Sequence, residues 1–355
     1  MLWLEQHAIK PCDSSRKAAE NRQKQLTKPP GSLGGLETLA IQLASLQRTE
    51  FPTIDNISIS IFAADHGIAE ENVSAFPQSV TAEMIRNFSA GGAAISVLAR
   101  ALNASLRVCN LGTVSELEPI PGVDTHQLGA GTNNFSQQTA MNADQLQQAL
   151  QIGKQHADDA QTNGAELAIF GEMGIANTSS ATALGCALLQ LPADKLTGPG
   201  TGLNPLAQQH KKDVIERSLQ LHQQTNASII EQPLYWLQAV GGFEIAALVG
   251  AYIRCGQIGL PVLIDGFIAS VAALTALKIR PDILPWLILG HQSAEPGHIL
   301  VIQALGLTPI LQLQMRLGEA SGAACAVPLL KLACALHNEM ATFETANVCS
   351  KNSQP

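Results

Sequence analysis

Basic charge is sparse in this chain. Only 21 Lys and Arg stand against 29 Asp and Glu, a formal net charge of −8, and no dense basic stripe occurs. A nucleic-acid binder needs such a stripe to neutralise phosphates, so a nucleic-acid partner is not expected. The densest basic spot, Lys211-Lys212, suffices for one phosphate monoester but not for a polymer. Uninterrupted apolar runs of about 18 residues are also missing, which argues against a membrane span. The opening MLWLEQHAIKPCD lacks the basic flank and apolar core of a signal peptide. The seven cysteines, at positions 12, 109, 186, 255, 325, 334 and 349, are odd in number, scattered and without a C-x-x-C pair. That pattern argues against a disulfide framework or a zinc knuckle. It fits reduced thiols in the cytoplasm, most of them small core residues. Aromatic residues are scarce too, at 4%, while Gly and Ala are plentiful. Small residues let helices and strands approach closely, as in layered α/β folds.

What the chain does have is apolar content: 46% hydrophobic against 14% charged over 355 residues. This is a compact globular composition, long enough for one large domain plus a smaller one. Residues 14–26 read as a polar helix, and Lys28-Pro29-Pro30-Gly31 breaks the chain before a second helix at about 34–48. From residue 57 the pattern changes. Short β-branched and aliphatic runs alternate with longer helical stretches: ISISIFAA, a helix near 78–102, SLRVCNLG, then ELAIFGEM before a helix near 178–189. PVLIDGF follows with a helix near 268–278, and then WLILG. Continuously apolar strands alternating with helices predict a doubly wound α/β fold with a mostly parallel sheet covered on both faces. The tail, 304–345, reads as helices around Leu311, Leu313, Met315 and Leu317 and then from Val327 to Leu336. The expected division is a large domain at 51–303 and a smaller helical domain formed by both chain ends, 1–50 with 304–355.

Ligands of open parallel sheets bind beyond the carboxyl ends of the strands. Here four apolar runs finish in Gly with an acid or a His: Asp65-His66-Gly67, Gly171-Glu172-Met173-Gly174, Asp265-Gly266 and Gly290-His291. One such ending is an ordinary helix cap; four together predict one rim lined with acceptors. Asn177-Thr178-Ser179-Ser180 opens a helix, either as a plain N-cap or as an anion site. Thr197-Gly198-Pro199-Gly200-Thr201-Gly202 is a second candidate phosphate cradle with Lys211 downstream. It is neither a Walker A loop nor a dinucleotide fingerprint. His291 and His298 invite a metal reading, but Pro296-Gly297 interrupts the helix that a zinc pair would need, and phosphate or ribose contacts are the better reading. Glu319 stands alone among Gly and Ala in LGEASGAA. It is either a solvated helix residue or a carboxylate in a dry site, where desolvation would fit it for general-base work.

Taken together, eight blocks resemble one family, the nicotinate-nucleotide–dimethylbenzimidazole phosphoribosyltransferases. They are KPPGSLGGLE (28–37), ADHGIAEENVSAFPQSVTAEMI (64–85), GEMGIANTSSA (171–181), TGPGTGL (197–203), VGGFEIAALVGA (240–251), LPVLIDGF (260–267), HQSAEPGH (291–298) and RLGEASGAA (316–324). They stand in family order and run through nearly the whole chain. The resemblance implies a doubly wound large domain, a small domain from both termini, and a homodimer. It implies Glu319 as catalytic base. It places Glu172, Met173 and Gly174 along the nucleotide site, and Gly200, Gly202, Lys211, Gly290 and His291 around the 5′-phosphate. Phe76 and Met84 fall at positions of the benzimidazole pocket, which varies within the family. The substrates implied are nicotinate mononucleotide and a benzimidazole base, with no cofactor and no metal. The donor's nicotinate is bound as a pyridinium and leaves as a pyridine, so its departure needs no metal to neutralise charge. Phosphoribosyltransferases with a pyrophosphate donor carry paired acids before a Gly/Thr-rich loop, and no strand here is followed by that signature. Two rivals stay open at this point: a nucleotide-binding oxidoreductase on a similar sheet, and a non-catalytic binder of nucleotides or benzimidazoles.

Overall fold

The computed structural model describes residues 2–200, 202–223 and 232–349. Six strands make one sheet: β1 (Ile57–Ala64), β2 (Ser105–Gly112), β3 (Val123–Thr125), β4 (Leu167–Met173), β5 (Val262–Ile264) and β6 (Leu287–Leu289). Their order is β3-β2-β1-β4-β5-β6, and every neighbouring pair is parallel. The order reverses direction between β1 and β4, which is the switch point where such sheets open a crevice for ligands.

The strands are apolar throughout because both faces are covered. In β1, Ile57, Ile59, Ile61 and Ala63 enter one apolar cluster with Ile85, Phe88, Val327 and Leu330. Phe62 and Ala64 point the other way, into a cluster with Phe170, Leu248 and Val271. Strand periodicity of two sends alternate residues to opposite layers, so a run with no polar face is a run buried twice. Close layering depends on small residues. A Cβ added at Gly153 would fall 1.8 Å from the Ala247 carbonyl, and one at Gly250 would fall 2.1 Å from that of Leu150. The helices Ala143–Thr162 and Phe243–Ile258 therefore pack backbone to backbone.

Three readings of the sequence are corrected. The helix expected over 78–102 is two helices, Ser79–Ala90 and Ala94–Leu102, because Gly91 turns left-handed at φ 84° and ends the first. A short edge strand, β3, has no signal in the sequence; three half-exposed residues are too few to show a pattern. The segment with Leu311, Leu313, Met315 and Leu317 is not helical. Its start pairs in parallel with the chain just after β6, Leu311 N donating to the Gly290 carbonyl at 3.0 Å and Gln292 N to the Leu311 carbonyl at 2.8 Å, and Gln314 then turns left-handed at φ 58°. Those side chains recur every second residue, which is a strand spacing, and Pro309 cannot supply a helical N–H.

Helices from the two chain ends meet. Arg22 donates to the carbonyls of His337 and Asn338, each at 2.7 Å, and Leu26 forms an antiparallel bridge with Thr342. The Pro-Pro-Gly segment is the corner between the helices Asp13–Gln25 and Gly35–Gln47, held by a Lys28–Glu37 ion pair at 2.8 Å. No helix among the described residues is long and apolar enough to cross a membrane.

Candidate active site

The carboxyl ends of β4, β5 and β6 open into a cavity of about 290 Å³. Three helices begin beside it: Asn177–Leu189 after β4, Phe267–Ile279 after β5, and Ser321–Glu339 after the non-helical segment. None of the three has a side-chain cap from its own N-cap residue. The first turns of Asn177–Leu189 and Phe267–Ile279 line the cavity, so the positive ends of these two helix dipoles face one space, which favours an anionic ligand; the start of the third helix is capped by Asp265, which accepts the Ala323 N–H.

Glu319 sits just before the last of these helices. Gly318, Glu319 and Ala320 are all left-handed, with φ of 83°, 59° and 63°. The turn lowers the Glu319 carboxyl onto the cavity, and the residue is only 6% exposed. Burial, assisted by the negative charge of Asp265, pushes its pKa up to about 7. Of the two readings left open by the sequence, the dry carboxylate is the one realised. A base whose pKa lies near the working pH accepts a proton most effectively.

Glu172, at the end of β4, lines the same cavity and accepts a hydrogen bond from the Asn177 amide. Burial holds its carboxyl well above the usual range, and the nearby charges of Glu244, Asp265 and Glu319 push in the same direction. Asp265, after β5, is also buried, yet it stays below its ordinary value. Burial acts against its charge, but His291 and the Ala323 and Gly266 N–H groups outweigh it. Three carboxyls thus share the rim, with one ionised and one poised near neutrality.

At the other end of the cavity Lys211, itself buried, donates to the Thr178 hydroxyl at 2.8 Å. Burial draws its ammonium down to about 8, against the opposing pull of Glu295. Gly200, left-handed at φ 53°, packs so closely that an added Cβ would lie 2.9 Å from Thr178 Oγ1 and 3.3 Å from Lys211 Nζ. Arg316 reaches the Gly200 carbonyl at 3.4 Å. Two cations, a hydroxyl and a helix start converge here, with Glu295 as their internal counter-charge.

Seven of the eleven site residues that the resemblance implies line this one cavity, Phe76, Glu172, Met173, Gly174, Gly200, His291 and Glu319, and so do Asn177, Thr178, Asp265 and Gly266 from the strand-end and helix-start motifs. Lys211 stands behind it through Thr178. Gly290 lies one step back, its backbone against Ala323. Gly202 and Met84 are not among the lining residues; Met84 packs from the helix Ser79–Ala90 against the apolar cluster that also takes in Met173 and Ala320. His291 faces Asp265, with Nε2 3.4 Å from Oδ1. His298 has both ring nitrogens engaged, Nδ1 by the Ser293 N–H at 2.8 Å and Nε2 by the Ser270 hydroxyl at 2.9 Å. Arg316 was missed as a site residue, whereas Thr178 belongs to the helix opening read as either an N-cap or an anion site. A signal existed for Arg316: with Glu319 it is the only charged residue between 304 and 330.

A family model described as a phosphoribosyltransferase matches residues 9–348. A Pseudomonas putida protein named nicotinate-nucleotide–dimethylbenzimidazole phosphoribosyltransferase is 56% identical over 345 residues, 97% of each chain. A protein of the same name from Pseudomonas fluorescens is 57% identical over 332 residues, 93% of each chain. A crystal structure under that enzyme name from Thermus thermophilus superposes with a TM-score of 0.89 at 39% identity, over 96% of this chain and 99% of that one.

Proposed function

The chain belongs to the nicotinate-nucleotide–dimethylbenzimidazole phosphoribosyltransferase family, and from that premise we propose how its own residues carry the reaction. The enzyme is a pentosyltransferase that moves the 5-phosphoribosyl group of nicotinate mononucleotide to 5,6-dimethylbenzimidazole. The products are α-ribazole 5′-phosphate, used for the lower ligand of cobalamin, and nicotinate. The observation that carries the mechanistic reading is the buried Glu319 carboxyl, poised near pH 7 on the wall of the cavity.

In this reading the nucleotide phosphate lies against Lys211, Arg316 and the start of the helix Asn177–Leu189. A ring nitrogen of the benzimidazole attacks C1′ from the face opposite the nicotinate. The C1′–nitrogen bond to nicotinate breaks, its electron pair returns to the pyridinium ring, and a neutral pyridine nitrogen departs. The attacking base must lose the proton carried by its other ring nitrogen, and Glu319 receives it. Phosphate held at a fixed distance from the base converts an encounter into a positioned displacement, which supplies a large share of the acceleration. Phe76 and Leu317 on the cavity wall offer an apolar surface to the benzimidazole.

The same reading places the enzyme in the cytoplasm as a homodimer, in which the helices of 1–50 and 304–355 form a unit beside the large 51–303 domain. The seven cysteines, none of them in a disulfide, support a reducing compartment. The test is an incubation with nicotinate mononucleotide and dimethylbenzimidazole, followed by chromatography and mass analysis. Equimolar α-ribazole phosphate and nicotinate are expected. Saturable binding without nicotinate release would leave only a binding protein.

A further inference from the structure

The Glu319 side chain makes no hydrogen bond to protein among the described residues, so its position is set by its backbone. That backbone is unusual. Left-handed geometry at Glu319 and Ala320, both with a Cβ, is disfavoured and persists only where the surroundings enforce it. Three strand ends do so. From β4, Gly171 leaves room for the turn itself. From β5, Asp265 Oδ1 accepts the Ala323 N–H at 2.8 Å, an end-capping contact delivered to the helix Ser321–Glu339 by a different element. From β6, the His291 ring packs tightly on Gly322, where an added Cβ would fall 2.1 Å from both Cδ2 and Nε2. His291 in turn faces Asp265 at 3.4 Å.

We propose that Asp265, seated on His291, is the positioning residue that fixes and tunes Glu319 for proton transfer. This inference rests on the reading of Glu319 as the base. Asp265 does two things to it. Its hydrogen bond to Ala323 holds the start of the helix, and with it the turn that carries Glu319. Its charge, stabilised by His291 and by backbone N–H groups, opposes ionisation of Glu319 and moves it toward neutrality. The other titratable groups lining the cavity with Glu319 are Glu172 from β4, His291 and Glu295 from the segment after β6, and Arg316 on its own segment. Burial and the neighbouring charges of Glu244, Asp265 and Glu319 hold the Glu172 carboxyl well above the usual range.

The experiment uses the full chain with Asp265→Asn and Asp265→Ala, and Glu319→Gln as control. kcat and KM for nicotinate mononucleotide are measured across pH 5–9, with thermal transitions to verify folding. Asp265→Asn retains an acceptor oxygen and loses the charge. The acid limb of kcat should move to lower pH by about half a unit or more, with KM within about threefold of wild type. Asp265→Ala loses the acceptor as well, and kcat should fall at least about tenfold at every pH. An Asp265→Asn enzyme with an unmoved acid limb would overturn the proposal, whether or not Asp265→Ala folds. So would a tenfold rise in KM with kcat intact, which would make Asp265 a substrate ligand. Glu319→Gln separates the two levels. If it keeps its turnover and its acid limb, the base assignment itself fails. If it loses both while Asp265→Asn leaves the limb in place, only the positioning role falls.

Discussion

Gly171 of β4 lies directly beneath Ala320. A Cβ on Gly171 would stand 2.6 Å from the Ala320 nitrogen and 2.8 Å from its Cβ. The strand therefore gives up one side chain so that the turn bearing Glu319 can rest on the sheet. Gly171→Ala should push that turn outward. Overpacking of this kind costs about 1–3 kcal/mol, so the variant should melt earlier. Its kcat should fall more than its KM changes. A variant with native kcat would show that the turn has slack.

Glu319→Gln keeps the size of the side chain and its capacity to hydrogen-bond the acceptor base, but it cannot take a proton. Binding of both substrates should be near normal and turnover should drop about a hundredfold or more. In the wild type, turnover should rise with pH through about 7 as Glu319 ionises and flatten above it. That limb should vanish in the variant. Retention of more than about a tenth of turnover, a loss below roughly 1.4 kcal/mol, would move attention to Glu172.

The same carboxyl gives a stability signature of opposite sense. Its folded pKa is raised from 4.5 to about 7, so between those values the folded chain holds a proton that the unfolded chain releases. Stability therefore declines as pH rises from 4.5 to 7 and then stays low, by on the order of 1–3 kcal/mol. Glu319→Gln should melt above wild type at pH 8–9, and the gap should close toward pH 4.5. Parallel melting curves at all pH values would show that the carboxyl is better solvated than its burial implies.

Lys211→Ala removes a buried cation from Thr178 and the Gly200 turn. The KM for nicotinate mononucleotide should rise far more than that for the base. One charge-assisted contact is worth about 1.5–3 kcal/mol, or roughly ten- to over a hundredfold. Equal effects on both substrates would mark Lys211 as a structural residue.

Acceptor choice separates Phe76 from Met84. Phe76 lines the cavity, whereas Met84 is not among its lining residues and packs against the apolar cluster beside it. Phe76→Ala should weaken the preference for methylated over unsubstituted benzimidazole, by about 0.8 kcal/mol for each methyl that loses its contact. Met84→Ala should leave the preference in place. A reversed result would show that the base enters from the side of the helix Ser79–Ala90.

The layers of this protein were legible in the sequence because parallel strands buried on both faces have no polar side. ISISIFAA and LAIFGEM announce themselves by continuous apolarity, and their Gly-acid endings mark the ligand rim. The eight ordered blocks carried the family. They could not show which polar residues meet, because Glu172, Asp265, His291 and Glu319 come from separate strands and segments and touch only when the sheet is assembled. Nor could they decide whether Glu319 was wet or dry. Its own neighbours, Gly318 and Ala320, are compatible with either, and what dries it is the floor at Gly171 and the wall at Asp265. The non-helical segment from Leu311 to Leu317 was misread for a related reason. Its period of two was present, but the partner that pairs with Leu311, the chain leaving β6, is set beside it only in the folded sheet. Composition and order thus determined the fold class and the family. Only tertiary structure decided the burial and the aim of the Glu319 carboxyl, because both depend on groups distant in the chain and adjacent in space.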